Sequence, residues 1–151
     1  MSTPLGSSKT ANRGFIFCEF HSIREFHCAV KAGLLMKLDE LLEKYDLHPY
    51  CFCDCGDGWL PLVERLIFDL IAMGWTRDLA QVKEKFGGLR FYANDTDDKM
   101  DERIHQAELE AEKTCEQCGS PGEIKGNGRD GSGWLVCLCE KCREKENLRH
   151  E

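Results

Sequence analysis

The sequence has no apolar run approaching the ~20 residues that a membrane-spanning helix needs. Its opening stretch, MSTPLGSSKTANRG, contains no apolar block of the kind a secretory signal carries, so residues 1–14 read as a flexible arm. Several catalytic signatures are missing as well. There is no Gly-rich phosphate loop, no nucleophile elbow and no His-Glu-x-x-His. The zinc deaminase pattern, His-x-Glu followed by Pro-Cys-x-x-Cys, is also lacking. Positive charge is in short supply: 20 Lys and Arg stand against 27 Asp and Glu, a net charge of −7. That argues against a general nucleic-acid coat, which works by neutralising phosphates, but leaves room for a local basic patch.

Cysteine is abundant by contrast. Ten in 151 residues is a high count. With no secretion signal the expected compartment is the reducing cytoplasm, where clustered cysteines bind metal more often than they form disulfides. The length suits one ordinary domain, or one domain with a small metal-stapled module.

Hydrophobic periodicity organises the middle of the chain. Residues 29–45 read as an amphipathic helix, with Val30, Leu34, Leu35, Leu38, Leu41, Leu42 and Tyr45 at helical spacing and Glu40 and Lys44 as an i,i+4 pair. Residues 46–58 break the pattern with His48-Pro49 and Gly56-Asp57-Gly58. A second helix is expected over about Trp59–Met73, with Asp57 as its cap, Pro61 in its first turn and Gly74 as its stop. Residues 79–93 read as a β-hairpin turning at Gly87-Gly88, with Val82, Phe86, Leu89 and Phe91 inward. A third, strongly polar helix is expected over about Lys99–Lys113, with Met100, Ile104, Ala107 and Ala111 as a narrow apolar stripe. The expected class is α+β, with two to three helices, a β-hairpin and a C-terminal zinc ribbon. The boundaries are a flexible arm at 1–14, the α+β domain at 15–113 and the ribbon at 114–146.

The ribbon rests on Cys115-x-x-Cys118, twenty residues, then Cys139-x-x-Cys142. Zinc takes four ligands tetrahedrally, thiolates suit it, and a Cys-x-x-Cys turn aims two sulfurs at one ion. Gly119 permits the tight backbone after the first pair. Glu123-Ile124-Lys125 and Trp134-Leu135-Val136, separated by a Gly-rich turn, read as a hairpin that brings the two pairs together. A set of buried free cysteines or a redox pair are the competing readings. Cys137 is the substitute ligand, since in extended chain it shares a face with Cys139.

A second metal site is an alternative at the N-terminal end. Cys18, His21, Cys28, Cys51, Cys53 and Cys55 flank the first helix, with His27 and His48 nearby. Alternation puts Cys51, Cys53 and Cys55 on one face if they are extended. The competing reading makes them small buried hydrophobes.

The hairpin places Gln81, Lys83 and Lys85 on one strand face, and Arg90 and Tyr92 on one face of its partner. Lys83, Lys85, Arg90 and Tyr92 form a candidate basic-aromatic binding surface for phosphate or an acidic partner. A solvated face is the plainer alternative. Trp59, Trp75 and Trp134 read as core anchors. The acids of the third helix, Asp101 and Glu108 among them, read as a solvated or partner-facing surface.

CGDGW (55–59), LPLVERL (60–66), QVKEKFGGLRFY (81–92), AELEAEKTCEQCGSPG (107–122), Gly133-Trp134 and Cys139-x-x-Cys142 together resemble a family of small proteins common in bacteriophages and prophages. The resemblance spans about residues 55–142. It implies a phage-associated origin, a host bacterial cytoplasm as the compartment and a terminal zinc ribbon; it implies no activity. The expectation from the whole sequence is a non-enzymatic, zinc-stabilised binding protein with a protein partner, in the manner of an inhibitor of a host or defence factor. A nucleic-acid-binding regulator using the ribbon and the basic hairpin is the alternative. A metal-dependent hydrolase or nuclease on the acidic helix is a weaker one.

Overall fold

The computed structural model describes residues 37–128 and 130–149. They belong to one compact unit, Leu35–Glu151. The readings made for residues 1–36, including the arm and Cys18, His21 and Cys28, lie outside the described residues. Among the described residues, four helices and two antiparallel hairpins make the expected α+β fold, and none of the helices is long and apolar enough to cross a membrane.

Helix α1 (Leu38–Lys44) buries Leu38, Leu41 and Leu42. The expected pairing of Glu40 with Lys44 is replaced by two other contacts. The Glu40 carboxylate accepts from the Lys37 amide at 3.1 Å, closing the start of the helix. Lys44 reaches Glu64 of the next helix at 2.5 Å. A 3₁₀ turn at Asp57–Trp59 leads into α2 (Leu60–Ala72), whose apolar face buries Leu62, Val63, Leu66, Ile67 and Leu70. Pro61 sits in the first turn, where its missing amide costs no bond. Asp57 makes no side-chain cap. Gly74, at φ 97°, ends the helix as expected.

Strands β1 (Leu79–Lys85) and β2 (Gly88–Ala93) pair antiparallel, with Val82 opposite Phe91 and Lys83 opposite Arg90. The turn is Phe86-Gly87, one residue earlier than expected. Lys85 faces Gly88, and both turn residues have positive φ, 53° and 78°. Such a turn matches the twist of the strands. It also moves Phe86 out of the predicted core, leaving it 56% exposed. A third stretch lies along the far side of β1. The Cys51 and Asp54 amides donate to Ala80 and Val82 carbonyls at 3.1 and 3.0 Å, with Asp54 parallel to Lys83.

Helix α3 (Asp98–Ala111) is capped by Asp97, which accepts from the Lys99 and Met100 amides at 3.0 and 2.9 Å. It buries Met100, Ala107 and Ala111 and joins α2 through Arg65–Glu110 and Arg103–Asp69 ion pairs. The second hairpin, β3 (Glu123–Gly126) with β4 (Leu135–Leu138), is followed by α4 (Glu140–Arg149), which the sequence reading did not foresee.

One core runs from α1 through α2, the first sheet and α3 to Cys137 on β4. Trp59 and Trp75 are buried in it, each with its indole N–H donating to a carbonyl: Thr114 at 2.7 Å and Asn94 at 2.9 Å. Trp134 departs from the expectation and is 61% exposed.

Candidate metal centre

The sequence places two short knuckles at the ends of the second hairpin, and the hairpin register brings them together. In the first, the Gly119 amide donates to the Cys115 carbonyl at 2.9 Å and the Cys115 amide to Ser120 at 2.7 Å. Gly119 takes φ 74°, a left-handed value that a side chain resists. In the second, Cys139 follows β4 directly and Cys142 lies in the first turn of α4.

The Sγ atoms of Cys115, Cys118, Cys139 and Cys142 all lie within 4.8 Å of one another. Cys118 and Cys139 are 3.6 Å apart. Tetrahedral zinc with bonds of ~2.3 Å would set its sulfurs ~3.8 Å apart, so this group needs only a small contraction to hold the ion. Protons are divided unevenly among the sulfurs. Burial pushes Cys118 up, but hydrogen bonds from Ser120, Cys115 and Cys139 outweigh it and hold the thiol down to about 6. Burial, then hydrogen bonds with Cys139, Cys118 and Cys115, push Cys142 well above the ordinary thiol range.

Cys137, the substitute ligand, is not in the group. It is fully buried in the main core, its Sγ 3.4 Å from the Glu112 carbonyl, and burial raises its thiol to about 11. The strand alternation that sends Cys137 into the core sends Val136 and Leu138 to the sulfur cluster.

The first knuckle rests on the CGDGW segment. The Gly58 amide donates to the Glu116 carbonyl at 2.7 Å. A Cβ on Gly58 would press on the Cys115 carbonyl, and would lie 2.5 Å from the Gly119 nitrogen and 2.7 Å from that of Cys118. A Cβ on Gly56 would strike the Glu116 carbonyl in the same way. These two glycines are functional residues that the sequence reading treated only as turn signals. Their pairing with Trp59 and a later Cys-x-x-Cys was the available clue.

Cys51, Cys53 and Cys55 do not converge on a second site among the described residues. Cys53 and Cys55 pack against the core, Cys53 accepting from the Val82 amide at 3.1 Å, while Cys51 is exposed. Burial, then the charges of Asp54 and Asp57, push Cys55 up to about 12.

No family model, curated protein or solved structure matches this chain. The site is therefore read from its own chemistry.

Asp101 and Glu108 of α3 line a shallow groove of about 520 Å³ together with Tyr92, Asn94 and His105. Both carboxylates are engaged in hydrogen bonds within the fold. Glu108 accepts from the Phe91 amide at 3.1 Å, and Asp101 from the Thr96 hydroxyl at 2.6 Å. The basic-aromatic residues converge as the alternation suggested. Lys83 lies opposite Arg90, Gln81 opposite Tyr92, and the Lys83 ammonium sits 5.4 Å from the Tyr92 ring centre.

Proposed function

We propose that this chain is a zinc-stabilised, non-enzymatic binding protein. The observation that carries the reading is the set of four mutually close cysteine sulfurs. A zinc held by Cys115, Cys118, Cys139 and Cys142 would have no open position for water, so its chemistry would be to tie the chain together and not to activate a nucleophile. The docked knuckle, with Gly58 and Trp59 against it, would pass that stiffness to the sheet. Support for binding over catalysis comes from Asp101 and Glu108, whose carboxylates serve the helix start and the edge of β2.

The resemblance to bacteriophage and prophage proteins supports a phage-associated origin and action in the host bacterial cytoplasm. A small protein with a stiff surface fits the role of an inhibitor of a host or defence factor. It would act by occupying that factor or the nucleic acid on which the factor works. Elemental analysis of the purified chain tests the metal. One zinc per chain, lost in Cys115→Ser, is the expected result. Two would assign a further site to the N-terminal cysteines. A wild-type chain that folds without metal would overturn the reading.

A further inference from the structure

We propose that the outer face of the first sheet, with the aromatic pair at its tip, binds single-stranded nucleic acid. The inference rests on the reading of this chain as a binding protein and names its partner class. Pleating sends Val82, Leu89 and Phe91 inward to the core, where each is buried, and sends Gln81, Lys83 and Lys85 of β1 and Arg90 and Tyr92 of β2 to the other face. The parallel stretch beside β1 adds Phe52 and Asp54 to that face, with Asp54 in register with Lys83. The Gln81 side-chain amide donates to the Phe52 carbonyl at 2.7 Å and holds this stretch in place.

Several cations elsewhere in the described residues are neutralised locally. Lys44, Arg65, Arg103 and Lys125 each pair with a carboxylate. Lys83, Lys85 and Arg90 make no ion pair among the described residues. Lys83 even stands directly across the strands from Arg90, an arrangement that costs stability. The chain has seven more acids than bases, so carboxylates to relieve it are not scarce. Three cations that make no ion pair, with Asp54 in register beside Lys83, are complementary to an anionic partner.

Open aromatic rings accompany these cations. Phe52, Tyr92, Phe86 and Trp134 are 83%, 42%, 56% and 61% exposed. Lys83 lies over Tyr92, and Lys85 lies 5.6 Å from the Phe86 ring centre. Phe86 and Trp134, from the tips of the two hairpins, stand 6.1 Å apart and tilted by 32°. A cation beside each of two open rings offers a phosphate contact next to a stacking surface, a combination suited to a strand whose bases are unstacked. A duplex keeps its base faces covered and would use only the three charges. The overall net charge of −7 is consistent with this, because a short stacking strip needs few phosphate contacts and no general basic coat. An acidic protein could satisfy the same cations and is the competing partner.

Fluorescence anisotropy on the full chain decides between them. Zinc is measured first, so that failure of a one-zinc chain to bind counts against the nucleic-acid assignment alone. The probes are labelled dT20 and rU20, with a dT20·dA20 duplex for comparison. Three phosphate contacts predict a single-strand affinity that falls roughly 20-fold between 50 and 200 mM salt. Replacing Lys83, Lys85 and Arg90 together by Gln should remove most of that salt dependence. Phe86→Ala combined with Trp134→Ala should weaken binding by at least about 5-fold. Both variants should keep their zinc and their far-ultraviolet circular dichroism, since the altered side chains lie at the surface. No single-strand binding at 25 mM salt by the zinc-loaded chain would overturn the proposal and assign the surface to an acidic protein. Equal binding of duplex and single strand, indifferent to loss of the rings, would overturn it too.

Discussion

Gly58→Ala tests whether the metal knuckle and the core are mechanically one piece. The new methyl would lie 2.5 Å from the Gly119 nitrogen and 2.7 Å from the Cys118 nitrogen, and would press on the Cys115 carbonyl. All three are backbone atoms of the knuckle, so no flexible side chain can swing aside. Overpacking of this kind costs about 1–3 kcal/mol. The Gly58–Glu116 backbone bond, 2.7 Å long, would be stretched or lost at a further cost of about 0.5–1.5 kcal/mol. The sum is about 1.5–4.5 kcal/mol, which at ~1.4 kcal/mol per tenfold corresponds to a roughly 10- to 1,600-fold weaker zinc Kd if the knuckle carries the whole strain. Titration against a chelator of known zinc affinity reads that change directly. Gly74→Ala is the comparison. Its φ of 97° makes any side chain strained, yet nothing lies within 4 Å of the added methyl. It should lower the melting temperature and leave zinc affinity alone. If Gly58→Ala bound zinc as tightly as the wild type, or lost stability with no change in Kd, the docking of the knuckle on CGDGW would be refuted.

Trp59→Phe keeps an aromatic ring but removes the donor to the Thr114 carbonyl and some buried volume, and should cost at least about 1–3 kcal/mol in a denaturant melt. An unchanged midpoint would show that this bond does not hold the ribbon. Cys137→Ala should keep one zinc per chain while lowering stability by about 1 kcal/mol, whereas Cys115→Ser should lose the metal. Loss of zinc in the Cys137 variant would reinstate it as a ligand. Proton release on zinc binding should depend on pH with a definite sign. Above about 6, Cys118 is already ionised and yields no proton to the metal; below that value it does. Cys142, held above the ordinary range, yields one throughout. Protons released per zinc should therefore rise as pH falls through about 6, and apparent affinity should drop more steeply there. Calorimetry in buffers of different ionisation enthalpy measures the count, and a constant value from about pH 5 to 8 would contradict it.

The parts of this fold that were legible in the sequence are those set by local spacing. Leu62, Val63, Leu66, Ile67 and Leu70 mark one helical face, and Val82, Leu89 and Phe91 mark one sheet face, without reference to anything distant. The four-cysteine group was legible for a similar reason, because two knuckles with a hairpin between them leave the sulfurs little choice. What was missed depends on distant partners. The glycine pair at 87–88 is equally suited to two turn positions, and the approach of Ile124 to Gly87 is a tertiary contact that no local pattern carries. Helix α4 has too few apolar residues to show a stripe. The alternation of Cys51, Cys53 and Cys55 was visible, but whether it points to metal or to core depends on the strand beside it. Trp134 was read as a core anchor by residue type, and only its place at a hairpin tip makes it a surface residue.

The position of Cys137 has a consequence for how the protein is made. That side chain fills a slot in the main core, although it follows α3 by 26 residues and sits two positions before the first cysteine of the second knuckle. On the ribosome, α2, the first sheet and α3 emerge before the piece that closes them. Until β4 is released, the slot beside Glu112 stands empty and the Glu116 amide lacks the Cys137 carbonyl to which it donates. The core and the metal cluster are thus completed by the same late stretch of six residues, 137–142. A nascent chain stopped short of that stretch would be left with an open core, a natural substrate for proteolytic clearance.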